Sequence, residues 1–255
     1  MTKQTIINQL FDQLQLKVFT ERTTMGEVAA LEVADRMKEL LKQQCNIRVV
    51  FAAAPSQNEL LQILSQVDGI DWSRVTVFHM DEYIGLPDNA PEKFGKYLCD
   101  RLFDLVRPGQ VHLIDSSNDP DKECIRYGKL LSEAPIDIVC LGIGENGHIA
   151  FNDPPLATFS EPDSIKKVEL TLECRQQQVN DGCFTNVDSV PKYALTVTIP
   201  VLMAGSYLFC IVPGKAKKAA VRQTLHGPIT KACPSSILRT HGNCTLYADT
   251  DSYEM

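Results

Sequence analysis

Three short stretches of the chain are apolar almost end to end: IRVVFAAA (47–54), IDIVCLGIG (136–144) and SYLFCIV (206–212). A strand with one wet face alternates polar and apolar residues, so runs without alternation belong to strands covered on both faces. Few folds satisfy that requirement, because helices must then lie on each side of the sheet. The text between the runs supplies them. Val28, Leu31, Ala34, Met37, Leu40 and Leu41 recur at helical spacing behind a capping box of Thr24 and Glu27. Ser56 is placed to cap a second helix carrying Leu60, Leu61 and Leu64, while PEKFGKYLCDRLFDLV (91–106) and the stretch from Lys215 to Leu225 read as two more. LKVF (16–19), VTVFHM (75–80) and YALTVTIP (193–200) complete the strands. No repeat or flexible linker interrupts the series. It predicts one doubly wound α/β domain over 1–255, with a largely parallel, Rossmann-like sheet and an N-terminal extension over about 1–15.

Twenty-five basic against 32 acidic side chains give a net charge of −7, which argues against a nucleic-acid or anionic-membrane partner. An anionic small molecule must therefore meet a local basic cluster. No apolar stretch approaches the roughly 20 residues that span a bilayer. The N-terminal MTKQTIINQLFDQLQ is too polar for a signal peptide. Nine cysteines without a Cys-x-x-Cys pair suit a reducing compartment and argue against disulfides or a zinc site. Together these features predict a soluble, cytoplasmic protein.

In open α/β sheets ligands bind beyond the carboxyl ends of the strands. Three strand ends here run into polar or Gly-rich text: AAAPSQNE (52–59), HMDEYIGLPDN (79–89) and GIGENGHIAFNDPP (142–155). Gly142, Gly144 and Gly147 crowd the last of them, just before His148, Asn152 and Asp153. A tight strand-to-helix turn would account for the glycines. So would a dinucleotide loop, but no acidic residue closes a strand about 20 residues later. An imidazole close to an amide and a carboxylate points instead to acid/base work. Asp81 and Glu82 follow a buried strand, where successive side chains face opposite ways, so one of the two faces the cleft. A helix cap or a surface loop is the alternative for this pair. His79 reads as a core or wall residue. Lys215, Lys217 and Lys218 start a helix, against the preference for acids there, which suggests an anion nearby.

HMDEYIGLP (79–87) and GIGENGHIAFNDP (142–154) resemble the two signature loops of the glucosamine-6-phosphate deaminase (isomerase) family, relatives of the 6-phosphogluconolactonases. VPKYALTV (190–197) and PGKAKKA (213–219) follow in the family's order, and the resemblance extends over about residues 20–245. It implies an enzyme of amino-sugar metabolism that isomerises an aldose hexosamine 6-phosphate to the ketose and releases ammonia. No metal, nicotinamide or pyridoxal cofactor is implied. In that frame Asp81 matches the acid/base that moves a proton between C2 and C1, and His148 the group that opens the sugar ring. Asp153 and Asn146 match positions, usually Glu and Asp, that orient the imidazole. Lys217 matches the lysine that pairs with the substrate phosphate, and Ser56 a hydroxyl and backbone phosphate cradle. Glu82 and Gly147, inside the two loops, are the further substrate-binding candidates.

The sequence also departs from the family. Pro55 gives the phosphate loop no N–H at its position. The family's second phosphate-binding residue, an Arg ahead of VPK, has no match in QQQVNDGCF (176–184), with Arg175 near but out of register. Asn146 in place of Asp leaves His148 short of a charged partner, so Asn146→Asp is expected to speed ring opening. Two other readings stay open: lactone hydrolysis of the 6-phosphogluconolactonase type, and a sugar-phosphate sensor without catalysis. The partner in each is a small sugar phosphate, and both a monomer and a homo-oligomer are compatible with the sequence.

Overall fold

The computed structural model describes residues 5–254. Its first element corrects the sequence reading. In place of a loose extension, Ile7–Phe11 (β1) pairs antiparallel with Leu14–Phe19 (β2). Asp12, in the turn between them, takes the left-handed backbone (φ 51°) that such a tight hairpin needs. β1 escaped the pattern because it is an edge strand whose middle residues are exposed, so burial imposes no alternation on it. Residues 1–4 of the expected extension lie outside the described residues.

The chain then alternates. α1 (Arg22–Gln43), β3 (Ile47–Phe51), α2 (Asn58–Leu64) and β4 (Val75–His79) lead to a short strand, β5 (Asp81–Tyr83). α3 (Phe94–Leu98) and α4 (Asp104–Val106) are joined by one wide helical turn, Cys99–Phe103, and together make the helix expected over 91–106. β6 (Gln110–His112), α5 (Pro120–Ser132), β7 (Ile138–Leu141), β8 (Ile165–Glu169) and α6 (Leu172–Asn180) follow. β9 (Tyr193–Val197), α7 (Ile199–Met203), β10 (Tyr207–Val212), α8 (Lys218–His226) and β11 (Cys244–Asp249) complete the order.

Eight strands form one sheet in the order β1-β2-β11-β10-β7-β3-β4-β6, parallel except where β1 joins it. The three apolar runs are its centre: β10, β7 and β3 are neighbours. Met25, Ala29 and Leu60 belong to the core on one face, and Tyr127, Leu131 and Val221 to the core on the other. Burying each such Val, Leu or Met side chain is worth roughly 1.5–3 kcal/mol, which is why these strands are almost wholly apolar; the charged exception, Arg48 of β3, spends its guanidinium on the carbonyls of Leu130, Leu131 and Ala134. The chain winds from β3 towards β4 and β6 on one side and from β7 towards β10 and β11 on the other. Loops therefore leave β3 and β7 in opposite directions, and a crevice opens between them.

Three expectations need correction. YALTVTIP, expected in the parallel sheet, forms β9 of a second, antiparallel sheet with the order β5-β9-β8. Only Met80 separates β4 in the large sheet from β5 in the small one, and the Val197 N–H bonds its carbonyl (2.7 Å) at that seam. The capping box is not made: α1 starts ahead of Thr24, with Glu21 at the cap position and no side-chain bond there. Ser56 sits inside a single tight turn, Pro55–Gln57, and its hydroxyl accepts from the Gln57 side-chain amide (2.9 Å).

Candidate active site

At the crevice, a cleft is lined by the loop from Ala52 to Ser56, by Asp81, by Gly142, Ile143, Gly144 and His148, and by Lys217. These residues follow β3, β4, β7 and β10, four adjacent strands, which is why loops distant in sequence meet. Asp81, His148, Ser56 and Lys217 thus share one site. Asn146 and Asp153 stand behind the imidazole. Glu82 and Gly147 do not line the cleft.

The imidazole is held from one side. His148 Nδ1 lies 2.8 Å from Asn146 Oδ1 and 2.9 Å from Asp153 Oδ1. Asn146 Nδ2 donates to the same Asp153 oxygen (3.0 Å), and Asn146 Oδ1 also accepts the His148 backbone N–H (3.1 Å). Two acceptors at Nδ1 fix the proton there and leave Nε2 with its lone pair for the cleft. Burial alone would raise the Asp153 carboxyl. The hydrogen bonds from His148 and Asn146 outweigh it and hold the group below the usual carboxylate range. Asp153 is thus the charged partner that Asn146 alone could not supply. Among the described residues, His148, Asp153 and Cys174 also form a group able to hold a metal, with ligand atoms within 4.8 Å of one another. In the structure that carboxylate is engaged with the imidazole.

Two glycines make this loop possible. Gly144 passes so close to the ring that a Cβ there would fall on His148. Gly147 takes a left-handed backbone (φ 85°), and a Cβ on it would come within 2.8 Å of Cys233 Sγ. The Gly147 N–H is spent on the Gly144 carbonyl (3.0 Å). Its place in the turn, rather than contact with a ligand, accounts for Gly147 and corrects its expected role.

The acidic pair separates as strand geometry requires. Asp81 opens β5 only 7% exposed, lines the cleft and makes no side-chain hydrogen bond among the described residues. Burial, and secondarily the neighbouring Glu82, push its carboxyl well above the usual carboxylate range. Glu82 faces the other way. Its Oε1 accepts the N–H groups of Tyr83 (2.9 Å) and Phe94 (3.1 Å), and its Oε2 that of Gly95 (3.0 Å). It therefore caps the start of α3, the alternative the sequence had offered for this pair, and it does not reach the cleft. His79 is wholly buried behind it, with Nε2 3.7 Å from Glu82 Oε2.

Lys217 is 8% exposed, and burial lowers its pKa from the usual lysine value against partial support from Asp181 and Glu145. Four polar residues that sequence reasoning missed join it in the cleft: Arg22, Gln177, Gln178 and Asp181. Gln177 Oε1 accepts the Glu145 N–H (2.8 Å), and its amide donates to Asp181 Oδ2 (3.2 Å). A signal existed for part of this set, because 177, 178 and 181 fall on one face of a helix. Arg175 is excluded from the site: its guanidinium bonds the carbonyls of Val187 and Val190. Phe94 and Phe151, 5.7 Å apart between ring centroids, give the cleft an apolar wall.

A doubly wound sheet with a buried carboxylate, a tethered imidazole and a buried lysine at its strand ends suits an enzyme of the isomerase and hydrolase kind. The chain belongs to the family described as glucosamine-6-phosphate isomerases/6-phosphogluconolactonase, whose model matches residues 20–247. A glucosamine-6-phosphate deaminase of Bacillus thuringiensis (strain Al Hakam) is 35% identical over 187 residues, 73% of this chain and 70% of the relative. The structure of a monomeric glucosamine-6-phosphate deaminase superposes with a TM-score of 0.84 at 29% identity, covering 93% of this chain and 98% of the other. A 6-phosphogluconolactonase from Thermotoga maritima shares the fold with a TM-score of 0.76 at 18% identity, over 93% and 100% of the two chains. Among the described residues no helix is long and apolar enough to cross a membrane.

Proposed function

We propose that the protein converts glucosamine 6-phosphate to the ketose 6-phosphate and ammonia. One observation carries this reading: a buried, unbonded Asp81 carboxylate shares a cleft with the free Nε2 of His148. Taking a proton from carbon needs a base stripped of water and of competing donors. Opening a sugar ring needs a group that both accepts and returns an oxygen-bound proton, the work of a neutral imidazole.

In the proposed sequence the phosphate docks on Lys217 and the Ser56 loop. His148 Nε2 takes the O1 proton and delivers it to O5 as the C1–O5 bond breaks, with Asp153 stabilising the imidazolium formed between the two transfers. Asp81 then removes the C2 proton while one proton of the substrate ammonium passes to O1, so that C1=O becomes an enol, and the same carboxyl returns its proton to C1. The carbon bearing nitrogen is left as an imine, and one water replaces the nitrogen, which departs as ammonia. Phe94 and Phe151 give the reacting carbons an apolar wall to pack against. A reducing, cytoplasmic setting suits the nine free thiols.

The test is ammonia release from glucosamine 6-phosphate, measured beside hydrolysis of 6-phosphogluconolactone with the same preparation. Ammonia release that disappears in Asp81→Asn supports the proposal. Lactone hydrolysis without ammonia release would replace it, and binding without either reaction would make the protein a sensor.

A further inference from the structure

A phosphate ester carries close to two negative charges at neutral pH, and this chain is itself acidic. The cleft offers such a group Lys217. The wall contributed by α6 and the residue after it adds Gln177, Gln178 and Asp181, two amides and an acid where the family resemblance expects an arginine. A dianion facing one lysine and a nearby carboxylate is under-compensated, because charges removed from water need partners. The cleft has another cation. Arg22, the first residue of α1, lines it.

Arg22 is held in a fixed direction. Its Nε lies 2.8 Å from Glu59 Oε1 and its Nη2 3.0 Å from Glu59 Oε2, and Nη2 also donates to the Pro55 carbonyl in the loop that carries Ser56. These bonds use the donors along one edge of the fork. The two hydrogens on Nη1 have no protein acceptor among the described residues. The guanidinium is part-exposed, at 39% for the side chain, against 23% for Glu59. Gly26, one turn further along α1, leaves room for this arrangement, since a Cβ there would strike the Glu59 side chain.

We infer that Arg22 is the second cation of the phosphate subsite. It presents Nη1 to the substrate phosphate from α1, in place of the arginine absent from the α6 wall, while the Glu59 carboxylate occupies the opposite edge of the fork and offsets part of its charge. This inference rests on the sugar-phosphate reading of the cleft. An arginine anchored along one edge is suited to the task, because its remaining donors lose little freedom when they bind.

The test uses the full-length protein and three variants: Arg22→Gln, Arg22→Lys and Glu59→Gln. Two quantities are measured for each, KM for glucosamine 6-phosphate and the inhibition constant of inorganic phosphate. Arg22→Gln should raise both in parallel, by about ten-fold or more, with a larger effect on KM than on kcat. Arg22→Lys should fall between, since it keeps charge without the fork. Glu59→Gln keeps the guanidinium and removes its counter-charge, so the phosphate inhibition constant should fall. A merely structural Arg22 predicts that Arg22→Gln and Glu59→Gln shift in the same direction, because both break the bridge between α1 and α2; that result overturns the inference. So does an unchanged inhibition constant in Arg22→Gln. Should Arg22→Gln fail to fold, the sign of the Glu59→Gln effect decides alone. If the wild type releases no ammonia, the proposed reaction fails, and the inference is then judged by thermal stabilisation with inorganic phosphate. Stabilisation of the wild type that is lost in Arg22→Gln and reduced in Arg22→Lys upholds Arg22; none in the wild type, or full stabilisation of Arg22→Gln, sinks it.

Discussion

Asp153 Oδ1 lies 2.9 Å from His148 Nδ1 even though position 146, also in contact with that nitrogen, is an amide. The ring is thus held by a carboxylate through Asp153, and Asn146 serves as a brace that donates to the same carboxylate oxygen (3.0 Å). This reverses the expectation drawn from the sequence. Asn146→Asp would set two carboxylates in contact, and one of them would take up a proton in place of the lost amide donor. It should lower kcat on glucosamine 6-phosphate. Asp153→Asn should lower it further, by about 10²–10⁴, the range seen when an imidazole loses its orienting acid. A faster Asn146→Asp enzyme would refute the brace.

The pH dependence follows from Asp81. In the proposed reaction it must be ionised to accept the C2 proton, and burial followed by Glu82 raises its pKa. Activity should therefore fall with falling pH through a value above the ordinary aspartate range, visible as the acid limb of kcat/KM. The stability effect has the opposite sense. A carboxyl whose folded pKa exceeds its unfolded one favours the folded state below the unfolded value and loses that contribution as pH rises through the folded value. Asp81→Asn should abolish isomerisation yet raise Tm at neutral pH, with no gain in acid. Thermal melts at two pH values check this.

Glu82 links fold to chemistry. Glu82→Gln weakens the acceptor of three backbone N–H groups, that of Tyr83 in β5 and two at the start of α3, at a cost of about 1–3 kcal/mol in unfolding free energy. It also removes a negative charge that raises the Asp81 pKa. Denaturant melts should show the loss, and the acid limb of kcat/KM should move to lower pH. A substrate-binding role for Glu82 would instead leave stability alone and raise KM.

Lys217→Ala should weaken inorganic phosphate binding by about 1.5–3 kcal/mol, the range for a hydrogen bond to a charged group. Burial lowers the pKa of this lysine, so phosphate affinity should decline with rising pH from below the usual lysine range. The inhibition constant of inorganic phosphate, followed against pH, reads this directly. Loss of affinity confined to the ordinary lysine range would mean that the charge is not desolvated.

What the sequence made legible has a common cause. β3, β7 and β10 are covered on both faces, and burial writes itself into composition. β1 and β6 are edge strands with exposed residues, and β5 is too short for a period to form, so none of them left such a trace. Asp81, His148, Ser56 and Lys217 were legible because each sits just past a central strand, inside a local motif. Glu82 and Gly147 share those motifs, but strand alternation turns the one away and a tight turn absorbs the other. Arg22 reaches the cleft only because α1 packs beside α2 and the Pro55 loop, a meeting that no local pattern encodes.

The crossing at Met80 divides the labour of the cleft. His148, Ser56 and Lys217 are carried by the large sheet, whereas Asp81 rides on the small one, opposite Thr196 of β9. Because side chains alternate along a strand, a slip of one residue in that pairing would turn Asp81 away from the cleft without disturbing the imidazole or the lysine. In the proposed reaction the carbon-acid step is thereby a detachable module. Evolution or an engineer can retire or replace it by editing β5 and β9, and a lineage moving between deamination and lactone opening need not rebuild the part that recognises the sugar phosphate.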